Sequence, residues 1–75
     1  MVREVAYTGA ARRQLGEMPE ALHDACLEEL RDQFQGEGLQ EGGHVKALLL
    51  GEHVLRANLF VDKNGVLWVE SVSAG

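Results

Sequence analysis

The chain has 75 residues, a formal net charge of −5, one cysteine and 45% hydrophobic residues. That length fits a single domain, 1–75, with a small core. The hydrophobic fraction excludes a disordered polar chain, and no apolar run approaches the roughly 20 residues that cross a bilayer. The excess of acid argues against a general nucleic-acid binder, whose phosphate contacts need Lys and Arg. A lone Cys26 points to a reducing, cytoplasmic setting rather than a disulfide-stapled secreted domain.

Residues 2–7, "VREVAY", alternate and predict a first strand. Thr8 offers a hydroxyl N-cap for a helix from Gly9. Ala11, Leu15 and Met18 are spaced by four and three, which makes one helical face. Pro19 ends that helix and suits the first turn of the next. In the second helix Leu22, Cys26, Leu30 and Phe34 recur every fourth residue, and Gly36 is a natural stop. The two helices form a hairpin, each apolar on one side.

The glycine-rich segment 35–44, "QGEGLQEGGH", reads as a connection. It lacks the Lys-Ser/Thr of a phosphate-binding loop. Three strands follow in "HVKALLL", "HVLRANLFVD" and "GVLWVESVS", separated by turns at "GEH" and "KNG". A three-residue second turn, with Gly65 in the left-handed region, sets Leu59 opposite Val69 and Val61 opposite Leu67. That choice keeps each face chemically uniform. The same reasoning favours a three-residue first turn, which sets Val45, Ala47 and Leu49 beside Leu59, Ala57 and Leu55. The helices then cover Leu55, Ala57, Leu59, Val61, Leu67 and Val69. The opposite face is expected to carry Lys46, Leu48, Arg56, Asn58, Phe60, Trp68 and Glu70. It is the candidate site, because an uncovered aromatic patch usually marks a contact.

The front of the chain, "VAYTGAARRQLGEMPEALHDACLEEL", resembles the opening of the RelE/ParE superfamily, the toxins of type II toxin–antitoxin pairs. The features that carry the likeness are Tyr7, Thr8, Ala11, Leu15, Met18, Pro19, Leu22, Cys26 and Leu30. In the back half, Lys46, Leu48, Gly51, Arg56 and Asp62 fit it as well. The resemblance implies an α+β fold of order β-α-α-β-β-β, with a helical hairpin packed on one face of a small, mainly antiparallel sheet. It also implies growth inhibition, through cleavage of ribosome-bound mRNA or through DNA gyrase, and a cognate antitoxin as partner.

The family's last strand usually runs into a basic or His/Tyr-containing tail, whereas "SVSAG" has none of these residues. RNA cleavage needs a base, an acid and positive charge at the phosphate. Enzyme status therefore stays open. If the chain is a ribosome-dependent endoribonuclease, Lys46 and Arg56 are its catalytic candidates. The alternative is a non-catalytic protein-binding member of the same fold, either a degenerate toxin or a phage-encoded inhibitor of a host enzyme. Its contact residues would be Arg56, Asn58, Phe60 and Trp68. No cofactor is expected. His23 and Cys26 are two ligands at most, so no metal is expected either. An exposed edge strand in such a sheet can pair with a second copy or with a partner's segment.

Overall fold

The structure, a computed structural model, describes residues 4–34 and 39–74. The elements run β1 (Val5–Tyr7), α1 (Gly9–Gly16), α2 (Glu20–Phe34), β2 (Gly42–Leu50), β3 (His53–Val61) and β4 (Leu67–Ala74). The four strands form one mixed sheet in the order β1-β4-β3-β2. β1 runs parallel to β4, and the other two pairings are antiparallel. The two helices pack on the sheet, giving an α+β architecture. The helical stop expected at Gly36 lies outside the described residues, as does the side chain of Phe34.

Ala11 and Leu15 from α1 and Cys26 and Leu30 from α2 meet Leu48, Leu55, Ala57, Leu59, Val61, Leu67, Val69 and Val72 in one buried core. Val5, Tyr7, Met18 and Leu27 pack around it. Every sheet residue expected under the helices on β3 and β4 is there. Burial pushes the Cys26 thiol up from its ordinary pKa, so the group is a protonated core side chain. Burial likewise raises the pKa of Tyr7, against the opposing pull of Arg31.

Thr8 caps α1 as expected, its hydroxyl oxygen accepting from the Ala11 N–H at 3.2 Å. The same hydroxyl donates to the Glu70 carbonyl of β4 at 2.8 Å. The β3–β4 register shifts next to Asn58, which pairs with Ser71 while Leu59 pairs with Val69. Glu70 is thus the extra residue of a β-bulge. The alternating pattern carried no sign of this bulge, and it puts Val72 in the core where strict alternation would put Ser71.

The two hairpins differ in how well the sequence foretold them. The second has Lys63, Asn64 and Gly65 as its loop, with Gly65 at φ 82° and Val61 opposite Leu67, as expected. The first is a correction. Leu50 pairs with His53, so only Gly51 and Glu52 form the turn, and Gly51 has φ 61°. Positive φ at the first of two central residues is the type II′ pattern that suits a right-twisted hairpin. One residue fewer in the loop turns every β2 side chain to the other face. Leu48 sits opposite Leu55 and is fully buried, whereas Val45 and Leu49 are 64% and 70% exposed. β2 also starts two residues earlier than expected, with Gly42 and Gly43 paired to Val61 and Phe60.

Candidate functional site

The face of the sheet turned away from the helices is built in rows. Ala47, Arg56 and Ser73 form one row, and Val45, Asn58 and Ser71 the next. Gly43, Phe60 and Trp68 form a third. Leu49 and Val54 stand opposite each other near the first turn. Four large apolar side chains are exposed in this area: Val45, Leu49, Val54 at 52% and Phe60 at 40%. A shallow depression of ≈ 410 Å³ is lined by Val45, Lys46, Ala47, Val54, Leu55 and Arg56.

Arg56 is exposed in the middle of this apolar ground, and its guanidinium has no ion-pair or hydrogen-bond partner among the described residues. Asn58 is held in place, its amide donating to the Ser71 hydroxyl at 2.6 Å. Phe60 and Trp68 face each other across β3 and β4, as the register of the second turn required.

Trp68 is anchored from below the row. Its indole N–H donates to Asp62 Oδ2 at 3.1 Å, while Asp62 Oδ1 accepts from the Asn64 and Val66 N–H groups at 2.9 and 3.0 Å. The Trp68 bond, followed by these backbone donors, holds the Asp62 carboxyl below its ordinary pKa. A short Asp before a turn commonly folds its carboxylate over the following backbone. That habit is visible in "DKNG"; the reach to Trp68 is not.

Lys46 belongs elsewhere. It is half-buried on the helix side of the sheet, opposite Ala57, so the strand separates its side chain from that of Arg56. Of the face expected to hold Lys46, Leu48, Arg56, Asn58, Phe60, Trp68 and Glu70, the regular rows hold Arg56, Asn58, Phe60 and Trp68, and Lys46 and Leu48 lie on the helix side. Val45, Ala47 and Leu49, which a three-residue first turn would set beside the core residues of β3, stand on the open face instead. The run "KALLL" is apolar on both of its faces, so patterning alone could not choose between them. Gly51 at the first position of a two-residue turn was the available signal. Glu70 is exposed within the bulge rather than in a regular row.

The three histidines do not join Arg56. His23 lies on α2 and pairs with Asp24 at 3.1 Å. His44 and His53 share the strand parity of Leu48 and Leu55, so they belong to the helix side. Among the described residues, no group of three or more His, Cys, Asp or Glu is placed to hold a metal, and no helix is long and apolar enough to cross a membrane.

The sheet's two edges differ. Beyond Val69, where β1 ends, the edge of β4 is met by side chains of α1. Thr8 takes the Glu70 carbonyl, and Gln14 Oε1 accepts from the Val72 N–H at 2.6 Å. At the opposite edge, β2 has a neighbouring strand on one side only among the described residues. Its helix-side flank is an apolar groove of ≈ 380 Å³ lined by Leu22, Ala25, Leu50 and Gly51.

Compared with known proteins, the chain matches no family model and no curated protein.

Proposed function

We propose that this chain is a protein-binding module on a RelE/ParE-like scaffold, with the open sheet face as its contact surface. The observation that carries the reading is the makeup of that face. Four large apolar side chains stand 40–70% exposed around an Arg56 whose guanidinium has no partner among the described residues. Aromatic residues and arginine are the types enriched at protein interfaces, and an exposed apolar surround gives them area to bury. A partner surface with a carboxylate for Arg56 and apolar side chains for Phe60 and Val54 fits it. Asn58 and Trp68, each fixed by a hydrogen bond, present a preorganised floor. The reading includes no catalytic step, because Lys46 and Arg56 occupy opposite sides of β2 and β3.

A second reading has its own support. The residues behind the toxin resemblance have structural roles that suit it: Thr8 caps α1, Ala11 and Leu15 are buried, and Pro19 stands between the helices. On that reading the chain is a growth-inhibiting toxin, acting on translation or on gyrase and restrained by an antitoxin.

Inducible expression in a bacterium separates the two, using wild type, Arg56→Ala, Phe60→Asp and Lys46→Ala. The binding reading expects any growth arrest to be lost in the first two variants and kept in Lys46→Ala, with total mRNA intact. Cleaved mRNA, abolished by Lys46→Ala as well as by Arg56→Ala, would overturn it in favour of the nuclease.

A further inference from the structure

β2 is built like an interior strand but stands at an edge. Its nine residues include one formal charge, Lys46, and no proline. Natural edge strands are usually blunted by charges, prolines, bulges or brevity. In a two-residue hairpin the closing pair, here Leu50 with His53, is hydrogen-bonded. The N–H and C=O groups of Val45, Ala47 and Leu49 therefore point away from β3. Those same three residues carry their side chains on the open face. Among the described residues, both the outer backbone and the more apolar side of this strand are thus left unmatched.

We infer that β2 pairs with β2 of a second copy, antiparallel about a two-fold axis normal to the sheet, to give a continuous eight-stranded sheet. A strand that meets its own copy about such an axis must run antiparallel to it, and the contact is isologous. With both helical layers on the same side, open-face residues oppose open-face residues, so paired residues share parity. Centring the axis on Lys46 would set that charge directly against its mate, which is destabilising. Centring it on Ala47 removes the conflict. Val45 then faces Leu49 of the second copy, Lys46 faces its Leu48, and His44 faces its Leu50.

In this register Val54, Leu49 and Val45 of the second copy run in one unbroken apolar row, and the symmetric row repeats it. These are three of the four large apolar side chains exposed in the structure. The two Arg56 side chains lie three strand spacings apart, about 14 Å, beyond the Debye length of about 8 Å at physiological salt. In this register residues 44–50 of the two copies overlap, an edge of about 23 Å, which with a row of side chains on each flank buries on the order of 800 Å² in total, the range of weak, reversible association. A domain of this size gains stability from such pairing, since a core this small rarely suffices by a wide margin. The dimer takes Val45, Leu49 and Val54 into its rows, while Asn58, Phe60 and Trp68 stay outside the contact and open to another partner.

Sedimentation of the full chain over a range of concentrations tests the inference, together with Leu49→Glu, whose position is exposed enough to leave the fold intact by circular dichroism. The expected result is a reversible monomer–dimer equilibrium that Leu49→Glu weakens by about tenfold or more. Register is read by mild oxidation in a Cys26→Ala background. Ala47→Cys places two Cα atoms about 5.5 Å apart, within disulfide reach, and cross-links rapidly. Val54→Cys, whose mate lies three strands away, does not. A chain that stays monomeric at every concentration, including one that pairs only with a foreign peptide strand, overturns the inference. So does a dimer indifferent to Leu49→Glu, or a Val54→Cys that cross-links as fast as Ala47→Cys.

Discussion

The two edges of this sheet handle the same problem in opposite ways. On the β1 side the chain spends only three residues on an edge strand and then lets α1 finish the work. Thr8 and Gln14 supply a donor and an acceptor to β4 where a neighbouring strand would otherwise supply them. On the β2 side nine residues of strand end the sheet, their more apolar side chains are turned outward, and among the described residues no helix side chain bonds to their outer backbone groups. The helices are close enough to serve both edges, since α2 packs over β2. The lesson is that one edge is closed by side-chain hydrogen bonds within the chain, while the other keeps its outer backbone groups for the proposed pairing.

The comparison can be broken most forcefully at two adjacent leucines. Leu48→Ala empties a fully buried site and should cost ~2–5 kcal/mol in chemical denaturation. Leu49→Ala, at a position 70% exposed, should change monomer stability by no more than about 0.5 kcal/mol. The reverse ranking would mean that the first turn holds three residues and that the open face is misassigned. Next in size is the closed edge. Gln14→Ala leaves the Val72 N–H without its acceptor and should cost ~1–3 kcal/mol. Thr8→Ala removes a helix cap and the Glu70 tie together, at ~0.5–2 kcal/mol, with Thr8→Ser restoring most of it. If both losses were negligible, the edges would not differ energetically.

The smallest expected effect is the pH response of the second turn. The Asp62 carboxyl has a lowered folded-state pKa, so its contribution is fully present above the ordinary aspartate value of about 4 and is lost as pH falls through the lowered one. Urea unfolding between neutral pH and pH 2 should show that loss in wild type and a flatter response in Asp62→Asn. Equal acid sensitivity of the two would remove Asp62 as the anchor of Trp68.

Much of this architecture was legible in the residues. Thr8, Pro19 and the spacing of Ala11, Leu15, Cys26 and Leu30 fixed both helices. Alternation along β3 and β4, with Gly65 able to take positive φ, fixed the second hairpin and the floor of the core. β2 was not legible, because both of its faces are apolar and its register hung on one residue of turn length. The candidate site suffered for the same reason: Arg56, Asn58, Phe60 and Trp68 are together, Lys46 is not, and Val45, Leu49 and Val54 went unrecognised. The bulge at Glu70 breaks the alternation without a turn residue to mark it, and the reach of Gln14 to Val72 spans 58 positions, which no local pattern carries.

Amide hydrogen exchange, followed residue by residue at two protein concentrations, tests the contrast between the edges most directly. The account predicts that the Val72 amide is protected at both concentrations. It predicts that the amides of Val45, Ala47 and Leu49 exchange freely in dilute solution and become protected as the protein is concentrated. Strong protection of those three amides in dilute solution would show that the β2 edge is already closed within the chain. Free exchange at both concentrations would show that no second copy covers it. Either result would contradict the reading of β2 as the edge where this protein associates.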